Sequence, residues 1–329
     1  MSELPLLSVQ DLVVSFAVRG HGFFAPLRPL VAVDRVSFDL HAGETLGIVG
    51  ESGCGKSTLG RAILRLLPAT SGRIAWLGRD LTALEEPEMR PLRRDLQIVF
   101  QDPLAALDPR MTIGDIVGEP LVTFAPEMRK EAVRAQVRDM LAKVGLSPEM
   151  INRYPHEFSG GQCQRIGIAR AMILRPKLIV CDEPVSALDV SIQAQIINLL
   201  ADLQREFGLA LIFISHNLAI VRHISHRVLV LYLGRAVELA PRELLFSGPR
   251  HPYTQALLEA APTPDPRREK AKPRLAISGD PPSPLDPPSG CAFRTRCPKA
   301  SDLCARVRPE LLDDGGDPAW RVACHHWRG

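Results

Sequence analysis

Gly50-Glu51-Ser52-Gly53-Cys54-Gly55-Lys56-Ser57-Thr58 decides the fold of this chain, because it matches the phosphate-loop pattern of Gly, four residues, Gly, Lys and Ser or Thr. The apolar run 45–49 before it predicts a buried strand, and apolar residues at helical spacing after it predict a helix that stops before Pro68. The glycines let backbone N–H groups point at an anion, while Lys56 reaches the β- and γ-phosphates and Ser57 ligates Mg²⁺. A glycine-rich turn with a solvated lysine is the alternative, but the strand and helix on either side favour a nucleoside triphosphate site.

Composition points to an ordinary globular chain. Of its 329 residues, 46% are hydrophobic and 23% charged, and the net charge is only +3. That balance gives no reason to expect a nucleic-acid partner. No apolar run approaches the roughly 18 residues that span a bilayer, and the first residues lack the features of a signal peptide. We therefore expect a cytosolic protein that meets a membrane only through a partner, and cysteines that do not form structural disulfides.

Polar side chains are expected at the ends of three further strands. Asp182 and Glu183 follow the apolar run 177–181, His216 follows 210–214, and Gln101 follows a short strand at 98–100. Ligands sit at the carboxyl ends of strands in an open α/β sheet. Asp182 is placed to hold Mg²⁺, Glu183 to accept a proton from the attacking water, His216 to contact the γ-phosphate, and Gln101 to position metal or water. Singly, each has an ordinary structural explanation; together, beside a phosphate loop, they favour catalysis.

A fourth motif carries a family resemblance. Ser159-Gly160-Gly161-Gln162 resembles the signature motif of ATP-binding-cassette (ABC) ATPases, and the order of phosphate loop, Gln101, signature, Asp182-Glu183, 186–189 and His216 is similar to the full set of that superfamily. The sequence 153–165, the sequence His251-Pro252-Tyr253-Thr254 and the cysteine-bearing tail resemble the ATPase subunits of oligopeptide/dipeptide permeases. Phe158 stands where Leu is commoner in the superfamily; it is still apolar, so we expect no loss of function.

The resemblance implies a fold and a domain plan. The fold is α/β, a P-loop NTPase (RecA-like) core with an N-terminal antiparallel β subdomain, a helical insertion and a small cysteine-rich C-terminal tail. The nucleotide-binding domain would span 1–260, with its helical subdomain at about 104–165. The change to a Pro-rich composition beyond about Ala260 predicts a linker and a four-cysteine tail over 261–329.

The resemblance also implies how ATP is bound and used. Two ATPase subunits would pack head to tail, so that Ser159 and Gly161 serve the ATP held by the partner's phosphate loop, and Phe16 would stack on adenine. The catalytic residues would be Glu183, His216 and Gln101, and the Mg²⁺ ligands Ser57, Gln101 and Asp182. The nucleotide-binding residues implied are Phe16, Gly50, Glu51, Ser52, Gly53, Cys54, Gly55, Lys56, Ser57, Thr58, Ser159, Gly160, Gly161, Gln162 and Asp189.

Transport follows from the same resemblance. The chain would hydrolyse ATP to power peptide uptake with a second homologous ATPase, two transmembrane permease subunits and an extracytoplasmic solute-binding protein, at the cytoplasmic face of the inner membrane. Three alternatives stay open: a soluble ABC ATPase without a membrane partner, an importer of a non-peptide solute, and a subunit that holds ATP without turnover. A single cassette without heptads argues against the first, and intact Glu183 and His216 argue against the last.

The tail concentrates four of the seven cysteines. Cys291, Cys297, Cys304 and Cys324 supply the right number of thiolates for one iron–sulfur cluster, and the resemblance favours [4Fe–4S]. Nearby basic residues, among them Arg296 and Arg308, would offset its negative charge. Zinc is the alternative, although short Cys-x₂₋₄-Cys pairs are missing; four unliganded thiols are the third.

Cys54 lies inside the phosphate loop, near Lys56 and a helix N-terminus. Both features lower a thiol pKa, so we expect a reactive thiol that bound ATP protects. A shielded, unreactive thiol is the alternative.

Overall fold

Strands frame the structure, a computed structural model that describes residues 4–19, 26–260, 279–313, 317 and 319–328. They are β1 (Leu7–Arg19), β2 (Leu27–Leu40), β3 (Thr45–Val49), β4 (Ser71–Trp76), β5 (Arg79–Asp80), β6 (Leu96–Val99), β7 (Leu178–Asp182), β8 (Ala210–Ile214), β9 (Arg227–Tyr232), β10 (Arg235–Pro241), β11 (Leu312–Asp313) and β12 (Arg321–Val322).

Helices connect these strands. They are α1 (Lys56–Ile63), α2 (Glu86–Leu92), α3 (Ile113–Phe124), α4 (Lys130–Lys143), α5 (Gly160–Met172), α6 (Val190–Phe207), α7 (Leu218–Ile224), α8 (Arg242–Ser247), α9 (Pro252–Ala260) and α10 (Asp302–Arg306). Contacts group the chain into a first unit, Met1–Leu40, Leu46–Thr82 and Ser215–Gly329, and a second unit, His41–Thr45 and Ala83–Ile214.

The first unit contains an antiparallel sheet and a mixed set of strands. The antiparallel sheet has the order β2-β1-β4-β5. Residues 46–49 of β3 pair in parallel with β9, which continues antiparallel into β10, β12 and β11. The side chains of β3 are buried throughout, as those of a strand covered on both faces are. This strand leads directly into the phosphate loop.

The second unit is a parallel three-stranded arrangement with helices. β6 pairs with β7 and β7 with β8, all parallel, and every residue of β7 and β8 is buried. Helix α4 buries Val133, Val137 and Leu141 on one side, as its periodicity predicts. The helices between residues 104 and 165, the antiparallel N-terminal sheet and these parallel strands agree with the predicted α/β class.

Some predicted boundaries were wrong. Helix α1 ends at Ile63 rather than continuing toward Pro68, because Arg65 adopts a positive φ of 55° that ends the turn. The glycines and prolines of 19–29 predict a loop, but β1 runs to Arg19 and pairs there with Leu27, the first residue of β2. Residues 20–25 lie outside the described part of the chain.

The tail belongs to the first unit rather than standing apart from the cassette. Strand β12 pairs antiparallel with β10, with Glu238 opposite Val322. The Pro-rich linker predicted beyond Ala260 lies largely outside the described residues, which resume at 279. The Pro-rich composition predicted a tail separated from the cassette, because composition carries no information on which strand the tail pairs with.

Candidate functional site

The phosphate loop joins β3 to α1, and its shape requires glycine. Gly55 has a φ of 101°, and a Cβ there would lie 2.0 Å from the Ala32 carbonyl oxygen. Gly50 has a φ of 154°, and its Cβ would lie 2.2 Å from the Leu231 carbonyl oxygen. Neither position has room for any other residue, so the glycines of the motif are explained by close backbone packing as well as by conformation.

Lys56 is the first residue of helix α1, and its side chain is buried against the phosphate loop. The residue is 4% exposed, and Nζ donates to the Gly50 oxygen at 2.9 Å and to the Glu51 oxygen at 3.0 Å. The Lys56 side chain is therefore hydrogen-bonded to the backbone of the loop, in which Ser52 and Gly53 are exposed. A helix N-terminus and a lysine at one turn form a site that suits a phosphate group.

The prediction that Cys54 has a lowered thiol pKa was wrong. The residue is only 4% exposed, and burial raises the pKa of its thiol. Lys56 acts in the opposite direction, as expected from its charge, but loss of hydration outweighs it. The structure thus favours the alternative of a shielded thiol.

Glu51 has partners that sequence reasoning missed. Its carboxylate accepts two hydrogen bonds from Arg296 of the tail, at 2.9 and 3.0 Å, and its N–H donates to the Tyr253 hydroxyl at 2.9 Å. These hydrogen bonds to Glu51 raise the pKa of the Arg296 guanidinium. Tyr253 lies in the stretch 251–254, which resembles the ATPase subunits of peptide permeases. That resemblance was the feature of the sequence that pointed to Tyr253.

The tail arginines expected to offset the charge of a cluster have other partners. Arg296 pairs with Glu51, and Arg308 pairs with Asp34 of β2 at 3.1 Å. Asp34 also accepts from Arg235 at 2.8 Å. Two basic residues of the tail therefore contact acidic residues of the cassette, a correction to their predicted role.

In the second unit, the end of β7 presents two carboxylates in different settings. Asp182, the last residue of the strand, is 1% exposed, and Glu183 is half-buried. Glu183 has a φ of 46°, and its N–H donates to the Ile214 oxygen at 3.1 Å. A positive φ in a residue other than glycine costs free energy and is concentrated at functional sites. Gln101 Nε2 donates to Glu183 Oε2 at 3.2 Å, so the structure brings these two predicted residues together.

The signature segment forms the beginning of α5. The Ser159 hydroxyl accepts from the Gln162 N–H at 3.4 Å, and Gln162 Oε1 accepts from the Ser159 N–H at 3.0 Å. This reciprocal cap fixes an exposed helix N-terminus. Gly161 permits close packing on α6, because a Cβ there would lie 2.6 Å from Ile192 Cγ2. The arrangement leaves an anion-binding end of a helix facing solvent.

The remaining predicted residues occupy strand and helix ends. His216 is exposed two residues after β8, and Asp189 is the exposed N-cap residue of α6. Phe16 lies on β1 opposite Leu30 and is half-exposed. Their placement leaves each side chain at or near the surface of its own unit.

The four tail cysteines influence one another without forming a recognisable metal centre. Burial raises the pKa of Cys324 to about 11, with further contributions from charge on Cys291, Cys297 and Cys304. The Cys291 N–H donates to the Cys304 oxygen at 2.8 Å. Among the described residues, however, no group of three or more His, Cys, Asp or Glu side chains is arranged to hold a metal ion. The predicted cluster therefore receives no support from this arrangement.

No helix in the described part of the chain combines the length and apolar character needed to cross a membrane.

Comparison with known proteins agrees with these motifs. A family model described as ABC transporter matches residues 33–186, and one described as Oligopeptide/dipeptide transporter, C-terminal region matches 237–304. The oligopeptide transport ATP-binding protein OppF of Escherichia coli is 60% identical, over 93% of this chain and 92% of its own. The OppF protein of Haemophilus influenzae is 57% identical, over 97% of this chain and 96% of its own.

A solved structure gives the same picture of the fold. The ATP-binding cassette MJ0796, in a dimeric post-hydrolysis state bound to ADP and Pi, superposes with a TM-score of 0.65 and 28% identity. It covers 72% of this chain and 98% of its own. The predicted P-loop NTPase fold is thereby confirmed.

Proposed function

The chain belongs to the oligopeptide transport ATP-binding proteins of the ABC transporter family, and from this membership we propose that it hydrolyses ATP to power peptide uptake through membrane partners. The observation that carries the proposal is the buried Lys56, held under a loop whose glycines have no room for a side chain. That loop suits the phosphates of ATP.

Residues of the first unit bind the nucleotide in this proposal. Loop 50–58 surrounds the β- and γ-phosphates, with Lys56 as their cation. The half-exposed ring of Phe16 stacks on adenine, and the exposed His216 contacts the γ-phosphate. Ser57, in the first turn of α1, offers a hydroxyl oxygen to Mg²⁺.

Residues of the second unit carry out the chemistry. Glu183 accepts a proton from the attacking water, and Gln101, which donates to that carboxylate, orients the water. The buried Asp182 offers carboxylate oxygen of the kind that Mg²⁺ prefers. When bound, Mg²⁺ neutralises phosphate charge.

The signature segment serves a second ATPase subunit. Ser159, Gly160, Gly161 and Gln162 form a capped, solvent-facing helix N-terminus, which suits the γ-phosphate of a nucleotide held by the partner's loop. Asp189, the exposed N-cap residue of α6, is assigned to the nucleotide-binding residues as well. The dimeric state of the related cassette MJ0796 supports such a pairing.

Transport requires further subunits. We include two membrane permease subunits and an extracytoplasmic solute-binding protein, with this chain held peripherally at the cytoplasmic face of the inner membrane. The support is the membership of the chain in the oligopeptide transport ATP-binding proteins.

The tail is proposed as a [4Fe–4S] site, with Zn²⁺ as the alternative. Four thiols are the donor set that either metal centre takes. The hydrogen bond from the Cys291 N–H to the Cys304 oxygen, at 2.8 Å, brings two of the four cysteines together and supports the proposal. Among the described residues, these thiols do not form a group that could hold a metal ion.

Metal analysis of anaerobically purified protein tests this site. We expect iron and acid-labile sulfide in the wild type, their loss in Cys297→Ser and their retention in Cys163→Ala, which removes a buried cysteine of the second unit. Stoichiometric zinc without sulfide would decide for the alternative, and protein free of both metals would contradict a metal centre.

Hydrolysis is tested by Glu183→Gln, which keeps the shape of the side chain. We expect unchanged MgATP affinity and a loss of turnover of about 100-fold or more, the usual contribution of a general base. Glu206→Gln is the matched control, because Glu206 is a surface carboxylate of the same unit paired with Lys143. Turnover near that of the wild type in Glu183→Gln would remove Glu183 from this role.

A further inference from the structure

We propose that Arg296, in the C-terminal tail, is a positioning residue of the nucleotide site that neutralises Glu51 of the phosphate loop and thereby sets ATP affinity. The inference deepens the proposed function and rests on it, since it takes loop 50–58 as the ATP site. It gives the tail a direct part in nucleotide binding.

The contact between the two residues is bidentate. Arg296 Nη1 donates to Glu51 Oε2 at 2.9 Å, and Nη2 donates to Oε1 at 3.0 Å. The Arg296 side chain is 7% exposed and that of Glu51 27%. Parallel hydrogen bonds between a guanidinium and a carboxylate are stronger and more specific than a single contact, and partial burial reduces screening.

Arg296 is held in place by its own surroundings. Phe293, three residues earlier, is 2% exposed and packs on Tyr232 and Tyr253 with ring centroids 5.3 and 5.4 Å away. The Arg296 N–H donates to the Phe293 oxygen at 3.0 Å, which closes a turn between anchor and arginine. Nη1 also donates to the Tyr232 hydroxyl at 3.4 Å. The guanidinium is therefore delivered to the loop by a fixed segment of the tail.

The polar groups of Glu51 are all engaged. Its N–H donates to Tyr253, its carbonyl oxygen accepts from Lys56, and its carboxylate accepts from Arg296. Two of these partners come from outside the loop. The backbone of Glu51, which lies in the anion-binding turn, is thus positioned from the tail and from α9.

Charge gives the contact its functional consequence. Glu51 places a carboxylate in a loop that binds a polyanion, so an unneutralised Glu51 would repel phosphate. Arg296 cancels that charge. Loss of Arg296 should weaken MgATP binding, whereas simultaneous loss of the Glu51 charge should restore it.

A purely structural role for Arg296 gives a different expectation. If the arginine only docks the tail, removing both partners should be no better than removing Arg296. The tail offers a matched control, because Arg308 also pairs with a cassette carboxylate, that of Asp34, which is not a residue of the phosphate loop. Asp34 keeps Arg235 as a partner when Arg308 is replaced.

The experiment compares equilibrium binding of MgATP by the full chain and its variants at low ionic strength. For Arg296→Gln we expect a Kd about tenfold above that of the wild type, the size of one partly screened charge interaction. The double variant Arg296→Gln/Glu51→Gln should return to within about twofold, and Arg308→Gln should match the wild type. Arg296→Lys keeps the charge and should bind within about threefold. The defect of Arg296→Gln should shrink as salt is added, because screening weakens repulsion.

Several outcomes would overturn the inference. Arg296 would have only a docking role, or none, if the Kd for MgATP were unchanged in Arg296→Gln and Arg296→Lys. The same conclusion would follow if the double variant bound MgATP as weakly as Arg296→Gln, or if Arg308→Gln lost as much affinity. If the wild type itself fails to bind MgATP, the proposed function fails instead, and the two failures are thereby distinguished.

Discussion

The buried Glu238 carboxylate joins the tail to the cassette, and its removal tests that connection. Glu238 is fully buried on β10. Its Oε1 accepts from the Arg250 N–H and from Trp320 Nε1 of the tail, both at 2.9 Å, and its Oε2 accepts from the His251 N–H at 3.1 Å. Trp320 additionally stacks on the Arg250 guanidinium, 3.7 Å from the ring centroid. One side chain therefore fixes both a turn of the cassette and the tail.

Replacing Glu238 by alanine should destabilise the first unit by about 3–5 kcal/mol. The substitution leaves three N–H donors without their acceptor, and each unsatisfied donor that is buried costs about 1–3 kcal/mol. Part of this is offset, because burial raises the pKa of Glu238 and so disfavours its charged form. Glu238→Gln retains an acceptor oxygen and should cost about 1–2 kcal/mol.

Urea unfolding followed by tryptophan fluorescence measures this effect. All three tryptophans, at 76, 320 and 327, lie in the first unit, so the signal reports that unit. Glu243→Ala is the control, because it removes an exposed carboxylate and should stay within about 0.5 kcal/mol. A Glu238→Ala protein within about 1 kcal/mol of the wild type would refute the reasoning.

Three further predictions concern the nucleotide site. Cys54 should react slowly with iodoacetamide, equally with and without MgATP, since it is buried with a raised pKa; rapid labelling that ATP suppresses, detected by mass spectrometry, would contradict this. Gly55→Ala should abolish MgATP binding, because the added Cβ would lie 2.0 Å from a backbone oxygen; retained affinity in a dialysis measurement would count against the described loop. Phe16→Ala should weaken ATP binding by about 1–3 kcal/mol, as loss of base stacking does, and leave binding of inorganic triphosphate unchanged; equal losses for both ligands would exclude stacking.

Local patterns were enough to predict the motifs and most of the elements. The apolar run before the phosphate loop forms β3, and the apolar run before His216 forms β8. Such features depend on residues close together in sequence. Gln101 and Glu183 were predicted as partners in catalysis because both follow strands, and their side chains meet.

Long-range contacts were beyond sequence reasoning. Arg296 and Glu51 are 245 residues apart, and no spacing rule joins them. Cys54 was misjudged for the same reason, because its burial depends on how the loop packs on distant strands. Arg296 and Arg308 were predicted to offset the charge of a metal cluster, whereas their partners are carboxylates of the cassette.

The central claim is that this chain converts ATP hydrolysis into peptide uptake. The direct measurement is accumulation of a labelled oligopeptide by sealed vesicles that contain the two membrane subunits, a second ATPase subunit and the solute-binding protein, with or without this chain. We predict uptake only when this chain and ATP are present on the cytoplasmic side, and loss of uptake when Glu183→Gln replaces the wild type. Peptide uptake of the same rate without the chain, or with Glu183→Gln, would contradict the account.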